Sequence, residues 1–484
     1  MESRLLRPLC QAVALALAAG GAHAATITVT DGGDAGTGSS CTLRQAIDSA
    51  NSDSVQGNCT AGNGTDTIVF ASALANSTIA LQGSQLLIDS NVTLSGSGQT
   101  IDAGGNSRVM AIDTSNAVTS VTLSNLSLTG GNYARGAGLS VYAGEGGGGG
   151  YRHADRHGNK PAAPTAPADV TLYRVTISNS TSGVGAGGVY IDGQNVAIEQ
   201  STVSGNTLTA TRNYGAGGVY ITGSSSVTIT DSTISGNRAS GSQSYLAGGV
   251  YVWHSDLTVT NSTITGNTAN GMDDLAGAMS LANASGAVYD STISGNQAAP
   301  SNTATGGILV GAEDGAGLNL FNTIVSGNSA LAVERPAITM SAAAMAQPDM
   351  GVYNSSNVVA QFNLFGTALQ PGYSGSGNVF NDAPGLGALA NNGGPTLTMK
   401  PNAGSPAIGA GSVALLPAGL ATDQRGAGFP RTTNNTLDLG AIQAGAGAVA
   451  AAPVPTPTLS TWALGLLGGL LALVGLRKRK PTDA

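Results

Sequence analysis

The sequence predicts an all-β fold: a right-handed parallel β-helix with three strands per coil, a short N-terminal capping helix and a hydrophobic helix near the C-terminus. Three observations predict it. The word DSTISGN at residues 231–237 returns with its inner aliphatic residue at Ile177, Val203, Ile234, Ile264, Ile293 and Val325, in steps of 26, 31, 30, 29 and 32. A fixed period of that size marks a stacked repeat. Each full copy also holds three short runs of alternating apolar residues, best seen in AGGVYITG, SVTIT and STISGN, and period-2 alternation is the mark of a strand. The composition agrees, with 72 glycines and only 10% charged residues in 484, a balance foreign to compact α/β enzymes.

Residues 1–24 carry Arg4 and Arg7, an apolar run over 12–19, and the small-residue site Ala22, His23, Ala24. This is the layout of a secretory signal. Its removal takes Cys10 and leaves Cys41 and Cys59, and an even pair in an exported chain is most simply a disulfide; two free thiols are the alternative. Residues 25–70 read as an N-terminal cap. After a strand over 26–30, Leu43, Ala46 and Ile47 share one face of a short helix, which can cover the open end of a solenoid where strand edges would otherwise be bare.

The repeats occupy 71–345. Alternation points Val219, Ile221, Val227, Ile229 and Ile234 inward, and the next copy puts Val250, Val252, Leu257, Val259 and Ile264 on the same columns. Gln200, Asp231, Asn261, Asp290 and Asn322 form one polar column at the bends. Asn206, Asn237, Asn267, Asn296 and Asn328 form a second, each preceded by Gly. Both read as architectural ladders, since Asn and Gly accept φ > 0 and an Asn amide can bond the next copy. Residues 144–168 interrupt the repeat as a predicted disordered insert. His153, Asp155 and His157 lie within it, and the flanking Gly and Pro runs favour a loop over a metal site.

The C-terminal part divides into a region over 346–444, a small-residue linker over 445–455 and a tail over 456–484. In the tail an apolar run over 462–476 begins at Trp462 and is stopped by RKRK. Fifteen helical residues rise about 22 Å, short for a membrane span, although the edge Trp and the basic stop fit interfacial anchoring.

Four stretches resemble known families. CTLRQAIDSAN at 41–51, followed by Cys59 and DTIVF, resembles the CSLREAI domain of bacterial surface β-helix proteins. PGLGALANNGGPTLTMKPNAGSPAIGAG, DQRGAGFPR and DLGAIQ, together with NLFG before them, resemble the choice-of-anchor Q region, which implies a C-terminal β-helix end joined to an interchangeable anchor. The GG-V-Y-I word and the terminal Asn are similar to repeats of polymorphic outer-membrane proteins, with an aliphatic residue where those carry Phe. Pro457, Thr458, Leu459 and Ser460, with Trp462, resemble the IPTL-CTERM sorting signal. That resemblance implies processing by an exosortase-like membrane protease that leaves the passenger at the cell surface; a permanent membrane anchor is the alternative.

Functional residues are sparse. Parallel β-helices include pectin-lyase-like enzymes, whose sites need clustered carboxylates and a base. Asp231 and Asp290 share a column roughly 9.5 Å apart, but at bends, with Asn261 between them in the same role. No nucleophile triad, CxxC or phosphate loop is present. A net charge of -8 excludes nucleic acid as a partner, there being no basic field to displace phosphate counterions. The remaining stripe is aromatic: Tyr190, Tyr220 and Tyr251 face away from the core on successive coils, with Trp253 two residues on. In a chain with 4% aromatics this predicts either a platform for sugars or rings that stack on each other and stabilise the sheet. The expectation is a secreted, surface-anchored adhesin or structural binding protein that contacts a polysaccharide or a host or matrix surface. No cofactor or metal is expected, and the competing class is a carbohydrate-active enzyme on the same scaffold.

Overall fold

The computed structural model describes residues 24–445 apart from 37–38, 117, 145–166, 212–213, 224, 243–244, 300–302, 312–315, 331–345, 354–355 and 370–372. The predicted signal segment, the greater part of the 144–168 insert and the sorting tail therefore lie outside the described residues. So do Pro457, Thr458, Leu459, Ser460 and Trp462.

The fold is the right-handed parallel β-solenoid that the repeat predicts. In the copy that ends at Asn237, strands Val219–Thr222, Ser226–Thr230 and Thr233–Ser235 line the core. Val219 pairs with Val250, Val227 with Leu257 and Ile234 with Ile264 in parallel register. All ten residues expected to point inward are at most 2% exposed. Ser226–Thr230 and its equivalents join Thr233–Ser235 and its equivalents in one 20-stranded sheet, and Val219–Thr222 belongs to a nine-stranded sheet across the core.

The corner between Ser226–Thr230 and Thr233–Ser235 is a single residue in the left-handed region. Gln200, Asp231, Asn261, Asp290 and Asn322 stand there with φ of 48 to 51°, a conformation that Asn and Asp tolerate best after Gly. The Asn column after each Gly is a buried ladder. Asn206, Asn237, Asn267 and Asn296 each donate Nδ2 to Oδ1 of the next rung at 2.9–3.0 Å, and Asn328 closes the series by donating to Asp349 at 3.1 Å. A serine ladder runs beside it, in which the backbone N–H of Ser201, Ser232 and Ser262 donates to Oγ of Ser232, Ser262 and Ser291. Buried polar atoms are thus consumed rung by rung, which a stacked coil requires.

At the N-terminus the helix Leu43–Ser52 buries Leu43, Ala46 and Ile47. Thr42 and Gln45 exchange side-chain and backbone hydrogen bonds as a capping box, so Gln serves where Glu is usual. Cys41 and Cys59 form the expected disulfide, and Arg44 pairs with Asp34 at 2.8 Å.

Two features differ from the expectation. Beyond the three strands per coil, the segments after each Asn rung contain two further short strands, such as Arg238–Gly241 and Leu246–Ala247, which build two six-stranded sheets. They form a flap that folds back along the solenoid, and its own small core holds Leu208, Ala239, Leu246, Ala269 and Leu275. The paired glycines are its neck: a Cβ on Gly248 would meet the backbone N of Thr268 at 2.5 Å, so only Gly lets the two crossing backbones approach. The second difference is C-terminal. Solenoid strands continue only to Val379–Phe380; residues 381–445 do not extend the β-helix but run back along its side as a strap.

Candidate binding surface

The tyrosine column is in register, with Tyr190 opposite Tyr220 and Tyr220 opposite Tyr251. It is not an open platform. Tyr190, Tyr220, Tyr251 and Trp253 are 8%, 5%, 0% and 4% exposed because the flap's return strands lay Ala186, Ala216, Ala247 and Ala276 over them. Adjacent rings meet edge to face, 5.6 and 5.4 Å apart at 64°, which is how buried rings satisfy their quadrupoles and not how they present a flat face. Alternation correctly turned these residues out of the core; it carried no information on a second layer outside the sheet. Burial raises the Tyr190 hydroxyl well above its ordinary pKa. Half-buried beside this cluster are Tyr353 and the pair Tyr214 and Tyr245, the latter two stacked at 4.9 Å and 14° where the flap turns back. Their signal was available: each Tyr precedes the first strand residue of the same word, Gly215-Ala216 and Leu246-Ala247.

On the corner column the carboxylates are structurally engaged. Asp290 is fully buried and accepts from Arg431 Nη2 of the strap at 3.1 Å. Burial raises its pKa, opposed by the same guanidinium. Asp231 accepts from Asn261 Nδ2 at 3.2 Å, and burial pushes its pKa up to about 6. These two side chains serve the corner and the strap, with Asn261 equivalent between them.

The strap is held by the same word of the repeat. Thr233, Thr263 and Thr292 succeed one another in register. Thr233 Oγ1 donates to Leu397 O, Thr263 Oγ1 donates to Gln424 Oε1, and Thr292 Oγ1 accepts from the Ala441 N–H. Gln424 Nε2 reaches Ser232 O and Thr233 Oγ1 at 3.0 Å. Leu439 packs on Ile324 and Leu364 where the threonine column turns apolar. Leu439 and Gln443 of the DLGAIQ word are both buried, and Gln443 Oε1 accepts from the Asp438 N–H at 2.9 Å.

The strap stops where Gly426 lies beside Gln200. On the N-terminal side of that point the corner is open and holds a groove of about 340 Å³ lined by Ser97, Gly98, Asn125, Ser127, Arg174 and Thr176. Its far wall is a bulge. Between Ser95 and Gln99 three residues oppose the single Asn125 of the next coil, so the chain bows outward. Its near wall is Arg174, an exposed residue at φ 55° whose Nε donates to Gln200 Oε1 at 3.0 Å.

Among the described residues no group of three or more His, Cys, Asp or Glu side chains is placed to hold a metal ion, and His153, Asp155 and His157 lie outside them. No helix among the described residues is long and apolar enough to cross a membrane.

Comparison with known proteins gives two family matches. The family described as a right handed beta helix region matches residues 165–365, and the IPTL-CTERM motif matches residues 452–481. No curated protein matches the chain. Among solved structures, the crystal structure of pectate lyase Pel9A is similar with a TM-score of 0.49 at 10% identity, covering 87% of this chain and 97% of that one. The chain is therefore a β-helix protein that carries a sorting-tail motif.

Proposed function

We propose that this chain is exported and displayed at the cell surface, where its solenoid acts as an adhesin or structural binding protein. The observation that carries the reading is the joining of a sorting motif at 452–481 to a solenoid whose buried polar groups are spent on ladders and on the strap. A solenoid that spends its polar columns on holding its own coils together is suited to presenting a surface. The capping-box helix with its disulfide, and the strap with its buried DLGAIQ word, support kinship with CSLREAI and choice-of-anchor Q surface proteins. An exosortase-like membrane protease is the proposed processing partner, and the apolar run over 462–476 a tether held at least until that step.

The test is to label intact cells that express the full chain or a version ended at residue 445, and to incubate each protein with a polysaccharide panel while assaying both retention and new reducing or unsaturated ends. The reading expects surface label only with the tail, and retention without new ends. Released ends would replace it with a carbohydrate-active enzyme, and label independent of the tail would remove the sorting step.

A further inference from the structure

The groove beside Arg174 continues a rail that is already half used. Thr100, Ser127, Thr176 and Thr202 precede Thr233, Thr263 and Thr292 on one column, each in register with the next. The last three are at most 1% exposed, under the strap; the first four are half-buried. Where the strap lies, these hydroxyls are donors and acceptors for polar groups set along an extended chain. Where it stops, the same column continues for a further four rungs, spanning about 14 Å from Thr202 to Thr100 at strand spacing, past the groove.

The chemistry of the open half narrows the occupant. Backbone groups along the corner are consumed by the coil-to-coil ladders, so an added peptide strand would find no free edge to pair with. Recognition must come from side chains: hydroxyls of Ser97, Ser127 and Thr176, the amide of Asn125, and the guanidinium of Arg174. Hydroxyls and an amide at regular spacing suit a polyol. Arg174 makes no ion pair among the described residues, whereas Arg44, Arg425 and Arg431 each hold an aspartate. Its Nε is held by Gln200 and its plane lies over the Tyr173 ring, which fixes the guanidinium with its two terminal nitrogens left as a fork for a carboxylate.

We infer that the groove between the Ser97-Gly98 bulge and Arg174 binds an acidic polysaccharide, with Arg174 taking the carboxylate of a uronate residue and the Thr/Ser column taking its neighbours' hydroxyls. This rests on the surface-binding reading and specifies its ligand class. The strap sets the limit of the site, since it covers the same Thr column from Thr233 onward.

The experiment is titration calorimetry on the full chain with mannuronate and glucuronate hexamers, each against its neutral parent hexamer, which differs by a carboxylate at C6. At least one acidic hexamer is expected to bind ten-fold or more tighter than its parent. Arg174→Gln should abolish that preference, and Ser97→Trp, which fills the groove from its far wall and keeps the Arg174 charge, should weaken binding ten-fold, with thermal melting unchanged in both. Equal binding of acid and parent, full affinity in either variant, or no binding of either acid would overturn the inference. If hexamers fail while cells bearing the chain still adhere to polysaccharide, the groove is refuted and the surface-binding reading stands.

Discussion

Arg431 and Asp290 form a buried ion pair at 3.1 Å across 141 residues of sequence, with side chains 1% and 0% exposed. It joins the strap to the corner of a coil whose Asp the repeat supplies. Arg431 Nη2 also donates to Asp438 O and Gly440 O, so the guanidinium orders the strap's last turn while it neutralises the corner.

Removing one partner should therefore be expensive. Arg431→Met leaves a carboxylate buried without its counter-charge, and the expected loss is about 3–5 kcal/mol, read by urea unfolding. Adding Asp290→Asn, the residue type found at Asn261 and Asn322, should recover most of it. A single-variant loss under about 1 kcal/mol, the worth of an exposed pair, would mean that the strap is not docked on this corner.

Asp231 gives the chain a pH dependence of known sign. Its folded pKa, about 6 against 3.8 when free, is raised, so its favourable contribution is complete below pH 4 and is lost as pH rises through 6. Asp231→Asn should stabilise the chain at pH 8 by about 1–2 kcal/mol, less than the full shift would give because the half-buried side chain is partly screened. It should do little at pH 4. Denaturation at the two pH values checks this, and an equal effect at both would contradict it.

Tyr251 tests the second layer. A surface ring could be lost with little effect, whereas a side chain at 0% exposure beneath Ala247 and Ala276 should cost about 3–5 kcal/mol when truncated to Ala. Differential scanning calorimetry would register this as a clear fall in melting temperature, and an unchanged melt would restore the open platform.

The paired glycines should not be equivalent. Gly248→Ala drives a Cβ into the Gly277 carbonyl and the Thr268 backbone N, both at 2.5 Å, and the flap neck has no side chain that can yield. The following coil carries Ala278 at the column of Gly249, so Gly249→Ala should be the milder change. Urea midpoints of the two variants decide the order.

Much of this was legible in the sequence because each rung repeats its chemistry. Ile234 and its equivalents gave the period, Asn237 and its equivalents the ladder, and Leu43, Ala46 and Ile47 the N-terminal helix. What escaped reading depends on parts distant in sequence. Ser232 and Thr233 repeat as faithfully as Ile234, yet their roles depend on a ladder partner one coil away and on Gln424, 191 residues on. The burial of Tyr220 is likewise set by Ala216 and Ala247, small residues whose periodicity resembles a turn. Arg174 is the one cation in a column that runs on through Gln200, Asp231, Asn261, Asp290 and Asn322, and only the bulge at Ser97, 77 positions earlier, turns it into a wall.

Adhesion under flow checks the proposed binding of surfaces from the outside of the cell. Cells expressing the full chain, and cells expressing it without residues 446–484, are passed over immobilised acidic polysaccharide and the retained fraction is counted. Retention is expected for the full chain, loss of retention with release of the protein to the medium for the shortened one, and intact polysaccharide afterwards. Equal retention of the two, or a shortened polysaccharide, would contradict it.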